Sequence, residues 1–210
     1  MFKARVPVPA GVEIERYFDV QQITNGDSEK SLFPPNPSGV STDNNYSSNP
    51  FPENLNYVIL GISIQCTLRA FSTAANIDPI KVLNLLSDAT FVLSSNQGRT
   101  EDIVHRLKDY LNLNDVQVAL TSAASDDAVT TTVTLPTTGV RQPDNLFFLK
   151  PNESFTVKTK FNSSDWPTTA HWTTAGIGRF GLEANLIVAK MTDEELYEYQ
   201  QRVIAAGGKA

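Results

Sequence analysis

Apolar and polar residues alternate with a period of two along most of this chain, and three stretches shift to the 3.6-residue period of a helix. Val12, Ile14, Tyr17, Phe18, Val20 and Ile23 predict one or two short strands ended by Asn25-Gly26-Asp27. The strongest strand pattern runs from Tyr57 to Phe71. There Ile62, Ile64, Cys66, Leu68 and Ala70 share one face, and Ser63, Gln65, Thr67 and Arg69 share the other. Thr90 to Ser95 reads as a further strand. After Asn114 the period of two returns at Val116, Val118 and Leu120, then at Val129, Thr131, Val133 and Leu135. Leu146 to Leu149 is a short apolar strand, followed by a turn with proline second, Lys150-Pro151-Asn152-Glu153. Phe155, Val157, Thr159 and Phe161 then face inward, and Thr156, Lys158 and Lys160 outward. In the last long strand Phe180, Leu182, Ala184, Leu186 and Val188 alternate with Gly181, Glu183, Asn185 and Ile187.

The helical stretches are short. Asp78 before Pro79 is an N-cap with proline at the first helical position, and Ile80, Val82, Leu83 and Leu86 supply the apolar stripe through about Ala89. Thr100 is expected to cap a second helix, with Ile103, Val104, Leu107 and Leu111 on one face and Glu101, Asp102, Lys108 and Asp109 on the other. Thr192-Asp193-Glu194-Glu195 is a capping box opening a third helix that carries Leu196, Tyr199, Val203 and Ile204. About eight strands with unequal connections predict a mainly β fold: an antiparallel jelly-roll β-sandwich with two short inserted helices and a C-terminal helix. Residues 1–30 form N-terminal strands or an arm, 31–56 a Pro/Asn-rich loop, 57–190 the core with its helical insertion at about 78–112, and 191–210 the terminal helix and tail.

Two segments read as arms. Ser31 to Pro52 holds five prolines and no usable period, yet it carries Phe33, Tyr46 and Phe51. It is either a disordered surface loop or an arm lying on a neighbouring subunit, since unstructured loops of this length are uncommon inside compact domains. The terminal helix follows the last core strand. Leu196, Tyr199 and Val203 therefore either cover an open end of the β domain or dock on a partner.

Composition fits this division. The 210 residues include 20 Thr, suited to solvated strand faces, and 16 Asn with 12 Pro, suited to turns and loops. A net charge of −6 without a Lys/Arg run is not the footprint of a dedicated nucleic-acid binder. One cysteine and two histidines exclude an internal disulfide and a zinc site of Cys/His ligands. The start has no continuous apolar run, so a soluble chain without an export signal is expected.

Candidate chemistry is sparse. Cys66 falls on the buried strand face and reads as core. His105, on the expected second helix, lacks the i+4 histidine that a zinc helix needs. Trp166, His171 and Trp172 lie in one loop, either as a carbohydrate platform or as packing on this chain or its neighbour. Asp126-Asp127 lies in a turn, and Glu194-Glu195 suits a helix N-terminus. The Asn-x-Ser sequons at Asn45, Asn152 and Asn162 are accidents of an Asn/Ser-rich chain. No Gly-rich phosphate loop or nucleophile elbow is present, and neither a catalytic residue, a metal nor a cofactor is expected. Lys150, Lys158 and Lys160 form a small basic stripe that either solubilises a strand or faces a genome or membrane.

The segments PENLNYVILGISIQCTL (Pro52 to Leu68), FFLKPNESFTVKTKF (Phe147 to Phe161) and RFGLEANLIVAK (Arg179 to Lys190) resemble strands of jelly-roll capsid proteins from tailless icosahedral viruses. The shared features are an apolar-Gly-Ile pattern at Leu60-Gly61-Ile62, a Leu-x-Pro-Asn turn at Leu149 to Asn152, and a last strand after a Pro/Trp-rich loop. The similarity covers about a fifth of the chain, and 210 residues hold one jelly roll rather than two. It implies a non-enzymatic single-jelly-roll shell, penton or minor capsid protein, made in the host cytoplasm and residing in the virion. Its implied partners are copies of itself and other capsid proteins, through Phe33, Tyr46, Phe51, Trp166, His171, Trp172, Leu196, Tyr199 and Val203. The alternative reading is a carbohydrate- or receptor-binding β-sandwich module.

Overall fold

A computed structural model describes residues 6–23, 26–35, 44–51, 54–70, 85–98, 100, 102–110, 117–122, 129–134, 140–162 and 177–209. In chain order its strands are β1 (Glu13–Ile23), β2 (Glu29–Leu32), β3 (Asn56–Ala70), β4 (Thr90–Ser95), β5 (Ile103–Arg106), β6 (Gln117–Ser122), β7 (Val129–Thr134), β8 (Phe148–Leu149), β9 (Phe155–Lys160) and β10 (Ile177–Met191). One helix, α1 (Asp193–Ala205), follows. The protein is thus mainly β, with two four-stranded antiparallel sheets ordered β1-β10-β3-β8 and β2-β9-β4-β5, and a separate β6-β7 hairpin.

The pairing is nested. β1 pairs with β10, β2 with β9, β3 with β8, and β4 with β5. Each outer pair belongs to the opposite sheet from the next pair inward, so the chain is one long hairpin folded back and forth between two sheets. Alternation then fills the space between them. Ile23, Ile62, Leu182 and Leu186 from the first sheet share a core with Leu32, Phe91, Leu93, Phe155 and Val157 from the second. Of the inward positions expected on β9 and β10, Phe155, Val157, Thr159, Phe161, Leu182, Ala184, Leu186 and Val188 are buried and the Phe180 side chain lies outside the described residues; Asn185, expected on the other face, is buried as well.

β3 changes phase along its length. Tyr57 and Ile59 point into the shared core, as do Ile62 and Ile64, although an unbroken period of two would put the two pairs on opposite faces. A register shift against β10 resolves this: Val188 faces Ile59 and Ile187 faces Gly61, so Leu60 is the extra residue. Gly61 has a second role. Arg141 pairs with Ile62 through two backbone hydrogen bonds of 2.8 Å, which lays Val140 directly over Gly61.

The second inserted helix is a correction. Ile103–Arg106 is strand β5, with Ile103 opposite Leu93 and His105 opposite Phe91, and only a 3-10 turn at Leu107–Asp109 follows. Ile103 and Leu107 suit a helical i, i+4 pair as well as a strand running into a turn, and over so few residues the two periods overlap. The β-branched pair Ile103-Val104 and the open flank of β4 decide for the strand. Of the first expected helix, the turn Leu85–Asp88 is helical, with Leu85, Leu86 and Ala89 buried; its expected start at Asp78-Pro79 lies outside the described residues.

Replacing Gly61 by valine forces its side chain into Val140. The expected result is a loss of roughly 1–3 kcal/mol in urea unfolding, the usual cost of overpacking, with the 140–141 bridge the first structure lost by hydrogen exchange.

Candidate functional site

The described parts of the Pro/Asn-rich segment, residues 31–35 and 44–51, pack on their own chain, which is neither the disordered surface loop nor the arm on a neighbour that the sequence pattern allowed. Ser31 and Leu32 belong to β2, and the rings of Phe33, Tyr46 and Phe51 are buried in the shared core. Phe51 stacks on Tyr17 at 4.5 Å and packs on Tyr57 at 4.7 Å and Phe155 at 5.0 Å; Phe33 lies 5.0 Å from Tyr46. These contacts bury large apolar area in aromatic pairs.

Buried polar side chains hold this segment where no ladder is available. Asn49 donates to the carbonyls of Phe33 (2.8 Å) and Phe155 (2.7 Å) and accepts from the Phe155 amide (3.1 Å). Asp19 accepts from the Phe33 amide at 2.9 Å. Asn45 caps the free flank of β1: its amide donates to the Phe18 carbonyl, its side chain accepts from the Phe18 amide at 2.6 Å, and it donates to the Arg16 carbonyl at 2.7 Å. Part of the outer edge of the first sheet is therefore hydrogen-bonded internally, as edge strands need to be to avoid unwanted pairing.

The terminal helix also packs on its own chain. Its capping box is present, with Thr192 Oγ1 accepting from the Glu195 amide and Glu195 accepting from the Thr192 amide. Leu196 and Tyr199 are buried against Val58, Ala189 and Met191 on the outer face of the first sheet, and Val203 packs beside them. Of the two alternatives, the helix covers the β domain. Tyr197 and Ile204 remain exposed on its other side.

The lysine stripe divides. Lys158 pairs with Glu29 at 2.8 Å on the outer face of the second sheet, where Lys160 is exposed. Lys150 instead reaches Asp193 at the start of α1, also at 2.8 Å. The hydrogen bond from Lys150, and then one from Asn56, hold the Asp193 carboxyl below its ordinary value. A fourth lysine, Lys190, is almost buried and ion-paired with Glu15 (3.0 Å) and Glu13 (3.6 Å). A hydrogen bond with Tyr17 is the main cause that lowers the Glu15 carboxyl. Lys150, Lys158 and Lys190 thus join strands and helix through carboxylates.

His105 stands on β5, not on a helix, and its ring meets Tyr110 edge-on at 5.9 Å. Trp166, His171 and Trp172 lie outside the described residues, as does the Cys66 side chain. Among the described residues no group of three His, Cys, Asp or Glu side chains converges as a metal centre requires.

An apolar groove of about 420 Å³ is the concave feature that sequence reasoning missed. Val6 and Val8 before β1, Leu60 at the bulge, Leu146 before β8, and Tyr199 and Val203 of α1 line it. No periodicity links these positions; they meet because both termini cross the same outer face, tied by Arg202 donating to the Pro7 carbonyl and Leu146 to the Lys209 carbonyl.

No protein-family model matches the chain, and no curated protein or solved structure does so either.

Phe51→Ala is expected to cost about 3–5 kcal/mol in urea unfolding, as for other buried phenylalanines. A cost below about 1 kcal/mol, ordinary for a surface position, would place the ring outside the core. Thr192→Ala removes the N-cap acceptor of α1 and is expected to cost about 1 kcal/mol, read as a lower thermal midpoint with loss of protection in α1.

Proposed function

We propose that this chain is a structural subunit of an icosahedral viral capsid, built as a single jelly roll and working by association with copies of itself and with other capsid proteins. One observation carries the reading: the nested pairing β1:β10, β2:β9, β3:β8 and β4:β5 across two four-stranded sheets. With the β6-β7 hairpin set aside as an insertion, eight strands remain, and their order is that of a hairpin rolled up into two sheets. Shell proteins are a principal use of this architecture, and the strand texts around Gly61, Pro151 and Leu186 resemble theirs.

The interior favours building over binding. Jelly-roll relatives that hold a small ligand or metal between their sheets need polar or coordinating groups there. Among the described residues that space is lined mainly by apolar side chains, Phe91, Leu93, Val157, Leu182 and Leu186, with Thr159 also buried. The free edges β2 and β5 have four residues each, and β1 is partly capped by Asn45, so association through added strands is disfavoured. Subunits of this shape meet through faces and connecting loops.

Mass photometry and negative-stain imaging of the purified chain, alone and co-expressed with the other structural proteins of its genome, test the reading. A closed oligomer or incorporation into particles is expected. A chain that stays monomeric at every concentration and joins no particle overturns it.

A further inference from the structure

His105 and Tyr110, on β5 and at the end of the turn that follows it, meet Arg141 from a distant piece of the chain. The Tyr110 ring meets the imidazole of His105 edge-on and has the Arg141 guanidinium over it, each 5.9 Å from its centre. Tyr110 is buried, packs on Phe91 at 5.3 Å, and has a hydroxyl without a hydrogen-bond partner. Arg141 is the residue whose backbone pairs with Ile62 of β3. The stack therefore ties the second sheet, through β5 and the turn after it, to the segment running along β3. The same segment supplies Gln142, Pro143, Asp144, Asn145 and Leu146 to one wall of the apolar groove.

We propose that this stack is an acid-sensitive latch: a proton taken from solvent by His105 releases segment 140–146 from β3 and opens the groove wall that the segment forms.

The charges around His105 set the sign. Arg141 faces it from the 140–146 segment and opposes a second positive charge. Asp144 on that segment and Asp109 on the 3-10 turn favour one, but both are engaged with Arg141, at 4.0 and 3.8 Å. Phe91, opposite on β4, is apolar, and Arg106 beside it on β5 pairs with Asp88. Burial comes first and Arg141 second among the causes that hold the imidazole below its ordinary value. The folded chain thus binds the His105 proton less readily than the unfolded chain does. Stability is highest with the ring neutral and falls as pH drops through the ordinary histidine range toward the lowered value. Protonation loads the burial of the ring first and its Arg141 neighbour second, and Arg141, through its contact with Tyr110, is the link from this cluster to segment 140–146. This device is independent of the capsid reading, since it depends only on contacts within one chain.

Hydrogen exchange of the full chain at about pH 7.5 and about pH 5, a window that spans histidine titration, provides the test after correction for intrinsic exchange rates. Protection at Ile62 and across 140–147 is expected to fall on acidification in the native chain and to hold in His105→Gln. Equal protection at both pH values, or the same loss in His105→Gln, overturns the latch. Should that variant not fold, proton NMR titration of the native chain decides, with the His171 signal identified through His171→Gln. Loss of amide protection at Ile62 and Arg141 that follows the His105 titration supports the proposal, and protection that stays unchanged across it overturns the latch.

Discussion

Everything in this molecule depends on β10 being paired on both sides. Its residues run antiparallel to β1 from Glu13 to Ile23 and to β3 along nearly all of that strand, so the first, third and last pieces of the hairpin are locked in one register. Because a strand alternates strictly, a slip of one residue would turn Leu182, Ala184, Leu186 and Val188 out of the core together. Four fully buried positions in one strand make such a slip costly. The nested pairing of the remaining strands follows from closing this outermost pair.

The pairing of β10 with β3 shifts register at two places, between Ile177 and Arg179 and between Ile187 and Val188, and the second of these shapes the outer face. The extra residue at Leu60 turns β3 so that Tyr57 and Ile59 keep the inner face while Val58 and Leu60 serve the outer one. That outer patch receives α1 and the N-terminal residues. Just beyond it, Gly61 admits Val140 and brings the 140–146 segment alongside. The bulge, the seat of α1 and one side of the groove lie together on this outer face.

Charge and polarity work mainly inside the chain. Asn49, Asp19 and Asn45 give hydrogen bonds to backbone groups that irregular segments leave without a ladder. Lys150 and Lys190 join elements far apart in sequence through carboxylates. Most such exposed pairs contribute little energy, but their placement specifies which segments meet. Several asparagines accordingly serve as connectors: Asn49 and Asn56 are buried and donate to backbone carbonyls.

Local chemistry determined much of this protein directly. The strands at Glu13–Ile23, Thr90–Ser95 and Phe155–Lys160, the proline turn before β9, and the capping box of α1 were all legible, because alternation, turn residues and caps act within a few positions of one another. Tertiary structure decided the rest. The loop of Phe33, Tyr46 and Phe51 could be read as a disordered loop or, for its three aromatic residues, as an arm on a partner, yet rings contributed by β1, β3 and β9 gave them a place in the core. Ile103 to Leu107 fitted helix and strand alike until the open flank of β4 supplied hydrogen bonds. The groove and the His105 stack join residues tens of positions apart, with no spacing rule to announce them. A sequence states the preferences of neighbours along the chain; which distant faces are left to satisfy one another is settled only when the sheets close.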